Sequence, residues 1–209
     1  MYWRAADGSG EEERLTTSTS LQTPGSISHD GTRLFFTTIM AGTGGDIWSM
    51  SLVDRQQPPQ AVLQTRFAES SPHISPDGHW IAYISNESGR PEIYVQPFPG
   101  LGSKLLISTD GGAEPHWSSD GRELFYRKDD TMMGVTLRAG APVSAGTPRV
   151  LFEGKYQVSD TGSGGYDVAR DGRFLMVEPT SAPRPATEIT VVLNWFEDVR
   201  SRVRGAASK

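Results

Sequence analysis

Four times along the chain an Asp-Gly pair joins a short run ending in a polar residue to an apolar run. The copies read SISHDGTRLFFTT from Ser26, HISPDGHWIAYIS from His73, HWSSDGRELFYRK from His116 and DVARDGRFLMVEP from Asp167. Their aspartates, Asp30, Asp77, Asp120 and Asp171, stand 47, 43 and 51 residues apart. Each copy reads as a strand, a tight turn and a returning apolar strand of alternating character. Glycine accepts the positive φ such a turn needs, and aspartate can bond the turn backbone.

Further strand-like runs fill the intervals: Asp46-Ile-Trp-Ser-Met and Ala61-Val-Leu-Gln after the first copy, and Glu92-Ile-Tyr-Val-Gln and Lys104-Leu-Leu-Ile-Ser after the second. Met132-Met-Gly-Val-Thr-Leu and Arg149-Val-Leu-Phe follow the third. Four short strands every ~40 to 45 residues mark the blade of a β-propeller, in which neighbouring blades bury one another's faces. A sandwich would need four similar hairpins by coincidence, whereas here position and chemistry recur together. The expected fold is therefore all-β, a single propeller or half-propeller domain over residues 1–209. It is built of four-stranded antiparallel blades, about four blade-equivalents in all. Two strands, Met1 to Ala6 and Glu13 to Thr16, resemble half a blade at the start, and Glu188 to Leu193 supplies a strand near the end. Residues 194–204, NWFEDVRSRVR, read as a short helical tail, with Asn194 as cap, Glu197 three residues on, and Trp195, Phe196, Val199 and Val203 on one side. Four blades lie at the bottom of the range for closed rings, so a homodimer that pools its blades is expected.

The chain of 209 residues carries no cysteine and a formal charge of −5. The first excludes a disulfide scaffold, a thiolate zinc site and a cysteine nucleophile. The second argues against nucleic acid or an anionic membrane surface as partner. No apolar run approaches the ~18 to 20 residues of a spanning helix. The opening MYWRAADGSGEEERL lacks a basic start followed by an apolar stretch, so no signal peptide is expected. Either the protein is cytoplasmic or the chain lacks its natural beginning.

ESSPHISPDGHWIAYISNESGRPEIYVQPFPG (69–100), STDGGAEPHWSSDGRELFYR (108–127) and ITVVLNWFEDVRSRV (189–203) resemble TolB-type β-propeller repeats. The resemblance extends to the propellers that follow the kinase domain of many bacterial serine/threonine kinases. It implies a propeller, often with a sensing or protein-binding role and sometimes outside the cytoplasm. It implies no kinase activity, because the glycine-rich loop, strand lysine, HRD and DFG elements are missing. Similar propellers precede the catalytic domain of prolyl-oligopeptidase-like peptidases, but no G-x-S-x-G nucleophile elbow occurs here.

Two functional readings follow. One is a binding module for a protein, peptide or small ligand held in the channel, with Asn86 and Arg90 of the SNESGRPE loop and Tyr166 as candidate contacts. The other starts from the repeat position occupied by Ser26, His73, His116 and Asp167, at the head of the strand expected nearest the channel. With Glu69 and Glu114 just upstream, the set Glu69, His73, Glu114, His116 and Asp167 offers ligands for a divalent cation, calcium, zinc or manganese. A metal-bound water there would hydrolyse lactones, aryl esters or phosphotriesters, by analogy with metal-bearing propellers. Polar residues at this position equally serve to bond blade to blade. No nucleotide, haem or flavin site is implied. TGSGGY (161–166) has no following helix to make a phosphate cradle, and EEER (11–14) reads as a solvated turn. His29 and His79 are expected at the surface, and Trp48, Trp80, Trp117, Phe125 and Tyr126 between blades.

Overall fold

The computed structural model describes residues 1–100, 102–138, 144–158 and 165–179. The expected strand at 188–193 and the helical tail at 194–204 lie outside them. A short pair, β1 (Tyr2–Trp3) and β2 (Glu13–Arg14), comes first. The first blade comprises β3 (Gln22–Ile27), β4 (Arg33–Met40), β5 (Gly44–Ser51) and β6 (Gln60–Leu63), paired antiparallel in sequence order. The second repeats that order with β7 (Glu69–Ile74), β8 (Trp80–Ser85), β9 (Glu92–Pro97) and β10 (Leu105–Leu106). In the third, β11 (Ala113–Trp117), β12 (Glu123–Lys128) and β13 (Thr131–Arg138) lead to β15 (Arg149–Glu153), while the two-residue β14 (Ser144–Ala145) pairs with the end of β13. The pair β16 (Tyr166–Val168) and β17 (Phe174–Met176) begins a fourth. The expected all-β propeller of four-stranded antiparallel blades is what the chain forms.

Inter-blade burial explains the one departure from the expected strand pattern. The returning strands are buried continuously rather than on alternate residues, because each has a blade on either side. Along β8, Ile81 and Tyr83 pack with Phe35, Ile47 and Ile74 of the first junction, while Ala82 and Ile84 pack with Trp117, Leu124 and Tyr126 of the second. Beyond the third blade, Phe125 and Met132 meet Tyr166 and Phe174. Strands buried on both faces lose the polar half of the alternation. Among the described residues there is no helix, and none long and apolar enough to cross a membrane.

The turns that define the repeat share one hydrogen-bond circuit. Ser28, Ser75 and Ser118 each donate from Oγ to the aspartate two residues on, at 2.6, 2.5 and 2.7 Å. The same hydroxyls accept the backbone N–H of Arg33, Trp80 and Glu123 at 2.9–3.0 Å. Each aspartate also accepts the N–H of the residue two positions further on. Gly31, Gly78 and Gly121 hold φ at +72, +74 and +70°, where a side chain would be strained. The fourth copy has Ala169 in place of the serine, and its loop is one residue tighter: Ala169 N–H bonds the carbonyl of Arg173, four residues away, where Ser75 bonds Trp80, five away.

Asp30 makes the electrostatic consequence plain: the Ser28 hydroxyl first, then the Thr32 amide, holds its carboxyl down at about 2. Replacing Ser75 by alanine should remove both bonds at a site only 1% exposed. Urea denaturation should show a loss of about 1 kcal/mol, without a change in m-value, as the Trp80 amide and the Asp77 carboxylate lose their shared partner.

Candidate functional site

The histidine position of the repeat is set by a bulge. Between Ser70 and His73 in β7, and between Ala113 and His116 in β11, the register with the neighbouring strand slips. Ser71 and Glu114, at the same repeat position, take left-handed φ values of 53 and 52°. Pro72 and Pro115 follow them, where a strand can dispense with an amide donor. A bulge bends its strand and re-aims the next side chain, and here both imidazoles arrive at one place. Their ring centroids lie 4.2 Å apart, with planes inclined at 41°. His116 Nε2 stands 3.3 Å from Asp167 Oδ1, and its Nδ1 is 2.8 Å from the Trp117 carbonyl. Of the five expected ligands, His116 therefore lies against both His73 and Asp167.

Glu69 and Glu114 do not share that place. Glu69 pairs with Ser85 at the far end of β7, about 10 Å along the strand from His73, and accepts from Thr65 Oγ1 at 2.5 Å. Glu114 accepts the Gly165 amide at 3.0 Å, and its carbonyl accepts the Tyr166 hydroxyl at 2.8 Å. Among the described residues no group of three or more histidine or carboxylate side chains is arranged to hold a metal ion.

What the position does instead is join blades. Ser26 Oγ accepts the Ile74 amide across the first junction at 3.0 Å. The His73 carbonyl accepts Trp117 Nε1–H across the second at 2.9 Å. Across the third, His116 reaches Asp167. Sequence reasoning placed Trp117 in inter-blade packing, but its indole N–H is also the donor that fastens the second blade to the third.

These bonds edge a cleft of about 610 Å³ at the Asp-Gly-turn end of the blades, to which all four repeats contribute. Ile27 and His29 come from the first, His73 and Pro76 from the second, His116 and Trp117 from the third, and Val168 and Arg170 from the fourth. His29 is exposed, as expected, and rims the cleft. Arg170, which sequence reasoning missed, is exposed and has no ion-pair partner among the described residues. Its signal was available: it fills the slot between serine and aspartate that holds His29, Pro76 and Ser119 in the other copies.

The other predicted contacts lie elsewhere. Asn86 and Arg90 belong to the β8–β9 connection, at the opposite end of the blade from the cleft. Asn86 accepts the Ala68 amide at 3.0 Å, and Arg90 is tied to Glu92 at 2.7 Å and Asp110 at 3.0 Å. Tyr166 is buried at the third junction. The three do not form one binding mouth.

No family model matches the chain. Of curated proteins, the Tol-Pal system protein TolB of Ruthia magnifica subsp. Calyptogena magnifica is 33% identical over 97 residues, 44% of this chain and 23% of the relative. The TolB of Hydrogenovibrio crunogenus is 32% identical over 81 residues, 38% of this chain and 19% of that protein. The chain thus spans less than a quarter of the length of these relatives. A solved structure described as TolB from Agrobacterium tumefaciens superposes with a TM-score of 0.59 at 21% identity, covering 73% of this chain and 56% of that one. TolB from Acinetobacter baumannii gives 0.51 at 20%, covering 81% and 45%. The chain carries a TolB-like β-propeller.

Burial first, and then the neighbouring His116, pushes the His73 imidazole down to about 3. The unfolded chain, with an ordinary histidine, binds the proton between about pH 6.5 and 3 when the folded one does not. Stability contributed by neutral His73 is therefore complete above pH 6.5 and is lost as pH falls through that window. Equilibrium unfolding from pH 7.5 to 4.5 should show a decline that His73→Phe makes shallower. An unchanged slope would mean that His73 accepts a proton in the folded state.

Proposed function

We propose that this chain is a non-catalytic binding module whose cleft at the Asp-Gly-turn end receives an extended segment of a protein partner bearing a carboxylate. One observation carries the reading: four successive repeats line a single cleft edged by His29, His116 and Arg170, the last without an ion-pair partner among the described residues, on a chain of net charge −5. A volume of about 610 Å³ falls in the range of ligand sites. Arginine offers a planar fork matched to carboxylate. The similarity to TolB proteins supports a propeller that binds protein, and the sequence holds no intact nucleophile motif. Metal-assisted hydrolysis, the other reading, called for five ligands at one place, whereas Glu69 and Glu114 are engaged by Thr65 and Gly165.

Selection from a random peptide library against the protein tests this. Enriched peptides should carry an acidic side chain or free C-terminus. Arg170→Ala and His116→Ala should each weaken them by about tenfold or more, roughly 1.4 kcal/mol each. Binders indifferent to both substitutions would overturn the assignment.

We also infer that two copies pool their blades. Where Met1 and Leu15 pack on Leu34 of the first blade, an apolar hollow of about 400 Å³ is edged by exposed Tyr2 and Ile27. Apolar surface of this kind seeks a partner. Light scattering should return twice the chain mass of 22.8 kDa, and Ile27→Lys should return the single chain. A monomer at micromolar concentration would sink the inference.

A further inference from the structure

The strand returning from the Asp-Gly turn starts with a different kind of residue in each complete blade: Arg33, Trp80 and Glu123. The three are equivalent, because the backbone N–H of Ser28, Ser75 and Ser118 bonds their carbonyls at 2.8–2.9 Å. Each side chain lies on the face that its blade turns to the next, the face that carries Phe35, Ala82 and Phe125. Trp80 packs into the core of the second junction. Glu123 pairs with Arg149 of the outer strand at 2.6 Å. Arg33 is half-buried, donates from Nη1 to Ser49 Oγ at 3.0 Å, and has no ion-pair partner among the described residues. The register gives the reason. Ser49 faces Gln60 where Gly134 faces Arg149, so the first blade brings a neutral amide to the corner that the third closes with an ion pair.

Arg33 also opens onto a hollow of about 400 Å³, lined by Gln60 and Val62 of the first blade and by Phe98 and Pro99 of the second. Arg33 is the one charged group lining it among the described residues. Phe98 is a fixed wall: its N–H bonds the His79 carbonyl at 2.8 Å, and its ring meets Phe35 edge-on at 5.2 Å. A further hollow of about 390 Å³ shares Arg33 and Phe98 with this one, and shares His29, Ile74 and Pro76 with the cleft at the turn end. Asp30 and Asp77 line that middle hollow too, but a hydroxyl and an amide of its own turn hold each of them. The three hollows adjoin in series along the first junction, from the cleft to the outer strand.

We propose that the hollow at Arg33 is a second anchor for the bound segment, receiving an acidic side chain in place of the counter-charge that Glu123 finds in Arg149. This rests on the reading of the cleft as a peptide site. The guanidinium fork suits a carboxylate, and the walls of Val62, Phe98 and Pro99 keep the pair from full solvent screening. From the first to the fourth strand of a blade is three spacings of about 4.8 Å, which an extended chain crosses in about four residues. The second acid therefore lies at least that far along the peptide from the carboxylate held in the cleft.

Random linear peptides selected on the unaltered chain are the probe. Those enriched should carry a second acidic residue at this spacing, and Arg33→Gln should weaken them about tenfold. Replacing the second acid by its amide should cost the same, with no further loss when the two changes are combined. Arg33→Glu should regain affinity when that residue becomes lysine, a response that damage to the fold would not give. If Arg170→Ala weakens the peptides and Arg33→Gln does not, the cleft stands and the second anchor falls. The reverse pattern keeps the anchor and removes the cleft assignment. An equal loss from Arg33→Gln for peptides with and without the second acid is a structural effect and overturns the anchor, and a selection that enriches nothing overturns both.

Discussion

Every part of this structure depends on burying a sheet on both faces. A single blade presents Ile81 and Tyr83 on one side and Ala82 and Ile84 on the other, and no arrangement of one sheet removes both from water. Only a neighbour on each side does so, which makes the repeats stack around an axis. The core is accordingly divided into clusters, one at each junction, and stability resides between blades more than within them. Polar bonds across the junctions, from Ile74 to Ser26 and from Trp117 to the His73 carbonyl, fix the angle at which apolar faces meet.

The same stacking builds the cleft. Equivalent residues of successive blades converge near the axis, so a single repeat position supplies Ser26, His73, His116 and Asp167. Divergence among copies then makes chemistry. The serine of the first copy is a structural acceptor, the histidines of the next two touch, and the aspartate of the fourth meets His116. Substitution within the Asp-Gly turn places His29 in the first copy and Arg170 in the fourth at the rim. Repeats hold the frame constant, and the positions that differ stand out as candidates for function.

Much of this was legible in the chain. The Ser-x-Asp-Gly turn is a local signal, because its hydrogen bonds run between residues no more than five apart. The strand runs between turns were equally visible, since apolar residues of the right length announce themselves. His73 and His116 occupy one repeat position, and the structure brings their rings side by side. Glu69 and Glu114 were misjudged as companions of those histidines. Nearness in sequence does not survive a bulge, and left-handed φ at Ser71 and Glu114 is not a preference either residue type declares. Asn86 and Arg90 were read as a mouth because the loop is polar, but polarity does not say at which end of a blade a loop lies relative to a cleft.

The sequence by itself determined the repeating unit, its turn chemistry and the number of such units, all of which rest on contacts between near neighbours. Only the tertiary structure decided which side chains converge, because that depends on the direction of each strand, the slip of each bulge and the blade beyond. Asp46 and Glu69 are 23 positions apart and unremarkable as letters. Packing one blade on the next buries both and leaves two carboxylate oxygens without partners.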